Sequence, residues 1–251
     1  MSKIIQSPMS KKKSKVVVPI SGGMDSTVLL HYAASKFDNV YAISFDYGQR
    51  HIKELTCAEK QIDAIRDKET DDNVHFNTVI NLPFFNLIKN SALIDHNIDV
   101  AKAKDVMGDP QNVNYVPFRN MMLLSIASSF AESVGADTVY HGAAQADSVA
   151  GFWDGSPEFL TAINNVNALN RRNKIIIEAP LIDKSKKEII ELGISLGVDF
   201  ANTWTCYVGL DEACGECTAC ALRLKGFIDA KIEDPLKYSR AIPWDHLLGK
   251  V

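Results

Sequence analysis

Short apolar runs rich in β-branched residues alternate along the chain with longer stretches whose apolar positions recur at helical spacing. Residues 15–20, Lys-Val-Val-Val-Pro-Ile, are too few for a helix and predict a strand buried on both faces. Residues 26–35 then set Val28, Leu29, Tyr32 and Ala33 on one helical face. The apolar run 40–45 predicts a second strand and 74–80 a third, with a helix over 51–66 between them. That helix presents Ile52, Leu55, Cys57, Ala58, Ile62 and Ile65, which makes Cys57 a core residue. Residues 82–116 keep no period and predict loops or short helices near a site. A long helix over 118–134 leads to strands at 137–142 and 175–177. Ser185-x-x-Glu188 has the form of a capping box opening a helix that reaches about residue 196. Strands alternating with helices predict an α/β fold, a Rossmann-like parallel sheet with helices on both faces.

Composition narrows the class. A chain of 251 residues, 46% hydrophobic, can bury a sizeable core in one main domain with a small appendage. Lys and Arg number 27 against 31 Asp and Glu, a net charge of −4. Nucleic-acid binders usually carry a basic excess, so no direct nucleic-acid contact is expected. No apolar run approaches the ~18 residues that span a bilayer, so no membrane partner is expected either. Lys11, Lys12, Lys13 and Lys15 mark residues 1–14 as a basic arm. The apolar stretch after them is too short for a secretory signal, which predicts a cytoplasmic protein. Four of the five cysteines fall between Cys206 and Cys220, and clustered thiols in a reducing compartment suggest a metal.

Two strings carry chemistry. Ser21-Gly22-Gly23-Met24-Asp25-Ser26 lies directly after a strand and before a helix. Glycines there permit positive φ and a close approach of backbone to an anion. Successive N–H groups, the helix N-terminus and the hydroxyls of Ser21, Ser26 and Thr27 then suit a phosphate. No Gly-Lys-Ser/Thr follows, so the string is not a Walker A loop. The second string is Cys206-x7-Cys214-x2-Cys217-x2-Cys220. Four thiolates suit a closed, structural zinc site. The spacing alone also fits an iron–sulfur cluster.

The first string resembles the pyrophosphate loop of the PP-loop ATP pyrophosphatases, whose fold is that of the adenine nucleotide alpha hydrolases. That resemblance implies ATP bound by Ile20, Ser21, Gly22, Gly23, Met24, Asp25, Ser26 and Thr27, with Asp25 helping to hold Mg2+ on the pyrophosphate. Several further strings are similar to one PP-loop family, the 7-cyano-7-deazaguanine synthases. They are Phe45-Asp46-Tyr47-Gly48-Gln49-Arg50-His51, Val116-Pro117-Phe118-Arg119-Asn120, Ala179-Pro180-Leu181-Ile182-Asp183 with Ser185-Lys186, and Asn202-Thr203-Trp204-Thr205-Cys206-Tyr207. Together with the cysteines they extend the resemblance over about residues 15–230. It implies an ATP-dependent ligase that turns 7-carboxy-7-deazaguanine and ammonia into 7-cyano-7-deazaguanine for deazapurine pathways such as queuosine biosynthesis. It also implies one zinc on the four cysteines, a homodimer, and a PP-loop domain over 15–200 followed by a small zinc-binding helical subdomain over 201–251. Another PP-loop adenylating enzyme with a different acceptor, tRNA-modifying or amide-forming, is the alternative. A zinc-ribbon nucleic-acid-binding regulator is a more distant one.

Candidate roles follow. Arg119, a cation at a helix start, where the dipole disfavours it, calls for an anion partner. By resemblance, Lys186 contacts phosphate. Asp46 and Gln49 follow a strand's carboxyl end, where α/β sheets place ligands. His51 reads as a helix-entry residue, not a catalytic one. Phe152 and Trp153 are candidates to stack on a planar base. The chain departs from the family pattern in two places. Phe118 stands where the family has Gly, which predicts a reshaped loop. Phe152-Trp153-Asp154-Gly155-Ser156-Pro157-Glu158-Phe159 stands where the family has aromatic-Pro-Asp-Cys-Arg-Pro-Glu-Phe. If the missing Arg pairs with an acidic substrate group, the chain is expected either to bind 7-carboxy-7-deazaguanine weakly or to use Arg171 or Arg172 in its place.

Overall fold

The computed structural model describes residues 14–67, 73–109, 111–149, 152–209 and 211–249. All but the last residue of the basic arm over 1–14 therefore lies outside the described residues. Five strands form one parallel sheet: β1 (Lys15–Pro19), β2 (Asn39–Asp46), β3 (Val74–Asn81), β4 (Thr138–Tyr140) and β5 (Ile176–Glu178). Their spatial order is β3-β2-β1-β4-β5.

Alternate strand residues feed two separate cores. Val16, Val18, Val40, Ala42 and Tyr140 face one side, whereas Val17, Ile43, Phe45, Val139 and Ile177 face the other. A strand buried on both faces must be apolar at successive positions, which is the pattern of Val16-Val17-Val18. The first core is closed by α1 (Met24–Ala34), α2 (Lys53–Arg66), α7 (Lys186–Ser195) and Phe227 of α8 (Thr218–Asp229). The second is closed by α4 (Arg119–Val134) and α6 (Pro157–Asn167). The irregular stretch after β3 contains one short helix, α3 (Ala103–Val106), and buries Phe85, Leu93 and Ile94. The capping box of α7 forms: Ser185 Oγ accepts from the Glu188 N–H, and Glu188 Oε2 accepts from the Ser185 N–H at 2.8 Å.

The chain runs outward from β1 to β3, then crosses back to place β4 on the other side of β1. At that reversal the carboxyl ends of β1 and β4 splay apart, and such a switch point is where open α/β sheets bind ligands. Gly22 turns the chain there with φ of +85°, and a Cβ on it would lie 2.0 Å from the Glu54 carbonyl oxygen and 2.7 Å from the Ala58 nitrogen of α2. Its carbonyl in turn accepts the Trp204 N–H at 2.9 Å.

The C-terminal part is locked by a buried cation. Arg223 of α8 is 1% exposed and bonds both oxygens of Asp234, at 2.7 and 2.9 Å. Its remaining donors reach Thr203 Oγ1 (2.7 Å), Thr205 Oγ1 (3.2 Å) and the Phe200 carbonyl (3.0 Å). The helix thus pins the segment that leads into the cysteines. A last short helix, α9 (Trp244–Leu247), sets Trp244 against the first core. No described helix is long and apolar enough to cross a membrane.

Gly22→Ala should lose at least about 2 kcal/mol of stability, from the left-handed backbone and the clash with α2 together. Gly142→Ala, where a Cβ meets nothing within 4 Å, should stay within about 1 kcal/mol of wild type. Urea unfolding of the two variants checks this, and equal stability would refute the packing constraint.

Candidate active site

A cleft of about 330 Å³ opens at the switch point. Ile20, Ser21, Gly23, Met24, Asp25 and Ser26 line it from the β1–α1 turn, and Arg119 and Lys186 from the starts of α4 and α7. His141 and Gly142 enter after β4, and Asp147 from the short helix α5 (Gln145–Val149). Phe152, Asp154 and Tyr207 complete the wall.

The turn is braced from within. Ser21 Oγ accepts from the Gly23 N–H at 3.1 Å, and Ser26 Oγ accepts from the Ser21 N–H at 3.2 Å. Gly23 caps α1 with extended backbone and no side-chain bond, so the helix start has no side-chain acceptor. Gly22 and Thr27 sit behind the cleft surface, and Thr27 is wholly buried.

Charge is concentrated beside this turn. Lys186 Nζ lies 2.7 Å from Asp25 Oδ2, and both side chains are largely buried. Burial works against the lysine's charge, but Asp25 and Asp147 outweigh it and raise its pKa. Burial also raises the Asp147 pKa, with Lys186 opposing; its Oδ2 accepts the Ala144 N–H at 2.8 Å. Asp25 Oδ1 is buried without a hydrogen-bond partner. A carboxylate oxygen in that state suits a cation brought in by a ligand.

Arg119 lies across the cleft, where its Nη1 donates to Tyr47 Oη at 3.3 Å. Phe118 before it keeps a left-handed conformation, φ 53° and ψ 17°, the geometry for which glycine is the natural residue. Phe118 carries strain of roughly 1–2 kcal/mol, and its ring packs edge-on against Trp153 at 5.4 Å.

Other expected residues do different work. Asp46 ends β2 by accepting the Gly48 N–H at 3.1 Å and does not line the cleft. Gln49 lines it, yet both ends of its amide are engaged in the same turn, with the Tyr47 N–H and the Phe45 carbonyl, each at 2.9 Å. His51 is buried with Nε2 2.9 Å from Glu54 Oε1. Phe152 faces the cleft, but Trp153 turns away. Its Nε1 donates to Tyr115 Oη at 3.0 Å and its ring meets Phe159 at 90°. Ser156 caps α6, accepting the Phe159 N–H at 3.1 Å.

The expectation that Arg171 or Arg172 compensates is not met. Both are exposed and lie beyond the far end of α6, ~16 Å of helix from the cleft edge. Tyr47, His141, Asp147, Asp154 and Tyr207 were not singled out from sequence. His141 directly follows the carboxyl end of β4, and the strand-end rule applied there would have found it.

The cysteines form a second, buried centre. All four Sγ atoms lie within 4.8 Å of one another. The Cys214 N–H points at Cys206 Sγ (3.3 Å), and the Glu216 and Cys217 N–H groups at Cys214 Sγ (3.4 and 3.3 Å). Contacts with the Cys206, Cys217 and Cys220 sulfurs hold Cys214 well below the usual thiol range. Contacts with Cys206 and Cys214 push Cys217 and Cys220 above it. Four thiolates this close need a cation, so the donor set fits a metal.

Residues 15–231 match the model of the family described as queuosine biosynthesis protein QueC. The chain is 43% identical over 232 residues to the 7-cyano-7-deazaguanine synthase of Thermoplasma volcanium, covering 90% of this chain and 91% of that one. It is 40% identical over 226 residues to the synthase of the same name from Oceanobacillus iheyensis, covering 89% and 98%. A similar match, 43% over 235 residues, joins it to the Coxiella burnetii synthase, covering 89% and 97%. With these matches spanning the glycine turn, the cleft and all four cysteines, the chain belongs to the QueC family.

Proposed function

We propose that this chain is an ATP-dependent ligase converting 7-carboxy-7-deazaguanine and ammonia into 7-cyano-7-deazaguanine. The observation that carries the reading is the joining of a braced glycine turn to Asp25, Lys186 and Arg119 in one cleft at the sheet's switch point. Adenylation of a carboxylate needs this arrangement. The substrate oxygen attacks the α-phosphorus of ATP, and the bond to pyrophosphate breaks. The N–H groups of the turn and Lys186 stabilise the charge gathering on pyrophosphate. Ammonia then displaces AMP from the acyl group, giving the amide. A second ATP activates the amide oxygen, and loss of AMP with the nitrogen's protons leaves the nitrile. No protein nucleophile is required, because positioning and leaving-group stabilisation supply the rate.

Asp25, with its unsatisfied Oδ1, suits the magnesium ion that accompanies ATP. We assign ATP to Ile20, Ser21, Gly23, Met24 and Ser26, with Gly22 and Thr27 supporting the turn from behind. Asp46 and Gln49 act on the shape of the wall and not on the nucleotide. For the cysteines we propose zinc. Sulfurs at tetrahedral corners about one zinc lie ~3.8 Å apart, and Cys214 Sγ is 3.9 Å from Cys220 Sγ. An iron–sulfur cluster spreads its thiolates over separate irons and holds them farther apart. The zinc has a structural role there, tying residues 206–220 together behind the cleft.

Incubation with ATP, magnesium, ammonia and 7-carboxy-7-deazaguanine should give amide and nitrile by mass analysis. Asp25→Ala should reduce turnover by at least 100-fold, on the order of the loss of one preorganised charge contact, while the unfolding midpoint stays near that of wild type. Wild-type turnover in that variant would end the assignment of the turn to ATP. Elemental analysis of protein purified without added metal should find about one zinc per chain and no iron. Iron with sulfide in its place would reverse the metal assignment.

A further inference from the structure

Asp154 is 4% exposed and lines the cleft. Its backbone carbonyl accepts His141 Nε2 at 3.1 Å, but no described donor reaches its carboxylate. A carboxylate on a cleft wall without a protein donor is left to water, which a ligand's own donors can replace. Asp147, by contrast, takes the Ala144 N–H, and Asp25 takes Lys186. Asp154 therefore lacks the donors that a ligand can bring. Phe152 lies beside it as a flat apolar wall. His141, held neutral by burial in spite of Asp154 and Asp147 nearby, adds no competing charge.

We infer that Asp154 reads the 2-amino-4-oxopyrimidine edge of the acceptor and sets which way round it binds. That edge presents two parallel N–H donors, the ring N1–H and the exocyclic amine, to which a carboxylate's two oxygens are matched. An adenine edge offers one donor beside a ring acceptor, so the same carboxylate rejects the base of ATP. The reacting carboxyl sits on the five-membered ring, across the heterocycle from the amino edge. With the edge on Asp154, that carboxyl points away from the like charge and into the cleft that Arg119 and the glycine turn also line. Asp154 is thus a specificity and positioning residue, and this inference rests on the acceptor proposed above.

The test is calorimetric binding of 7-carboxy-7-deazaguanine and its 2-deamino analogue to wild type and Asp154→Asn. Wild type should prefer the amino ligand by about 10- to 100-fold, the range of one charge-assisted bond. The substitution should weaken the amino ligand by a similar factor, weaken the deamino analogue, which keeps only the N1–H donor, by less, and leave ATP binding unchanged. Equal binding of the two ligands by wild type, a measurement that needs no variant, overturns the inference, as does an equal loss for both ligands in Asp154→Asn. Should wild type bind ATP but neither deazapurine, the acceptor assignment falls and takes this inference with it. Tight binding of the amino ligand without discrimination removes Asp154's role alone.

Discussion

Everything at the catalytic end of the sheet depends on how closely the chain can turn at Gly22. The residue holds a left-handed backbone with no room for a Cβ against α2, and its carbonyl fixes Trp204. Trp204 then donates its indole N–H to the Cys206 carbonyl at 2.9 Å and lies under Lys53 Nζ, 4.0 Å from the ring centroid. One residue without a side chain therefore couples the turn after β1, the second helix and the entry to the cysteine centre. A displacement of any of the three is felt at the other two, because packed cores have little slack.

The second coupling is electrostatic. Arg223 is buried, but it is not an isolated charge: Asp234 neutralises it, and two threonine hydroxyls and a carbonyl take its other donors. A fully satisfied buried pair of this kind adds geometric definition more dependably than net stability. Here what it defines is the path of residues 200–206, whose far end carries the first cysteine. The cysteine centre and Arg223 thus hold this wall of the cleft from two sides, and the glycine turn and α7 pack directly beside it, through Gly22 on Trp204 and Lys186 on Gly226.

Most of the architecture was legible in the chain. The doubly buried strand over 15–20, the capping box at Ser185 and the helix from Arg119 follow from local pattern alone, and the structure places them within two or three residues. The glycine turn and the cysteine cluster were legible because each sets particular residue types at fixed spacing. The helix Pro157–Asn167 was not, although Ser156-Pro157-Glu158 carries its start signal. Nor were the cleft residues after β4. Asp147 sits at no motif spacing, and only its approach to Lys186 makes it part of the group. Asp46 and Gln49 show the reverse: strand-end position marked them correctly as neighbours of the site, but their side-chain bonds are spent on the turn itself.

The positions that depart from the family pattern make sense once their contacts are seen together. Phe118 adopts the left-handed conformation natural to glycine, and its ring meets Trp153, which itself stands where the family has proline. Trp153 is held by Tyr115, whose hydroxyl also accepts the Phe118 N–H at 3.2 Å. Gly155 leaves space that Asp147 fills, since a Cβ on Gly155 would lie 2.7 Å from the Asp147 Cβ. Ser156 converts the next position into a helix cap. These substitutions form one contact network, not four independent losses. The edge-on pairing offsets strain at Phe118, and the small residue at 155 lets Asp147 approach Lys186. Asp154, the acidic residue common to both versions of the segment, stays on the cleft wall. What differs from the family pattern is the scaffold behind that carboxylate, while the acidic residue type is the same.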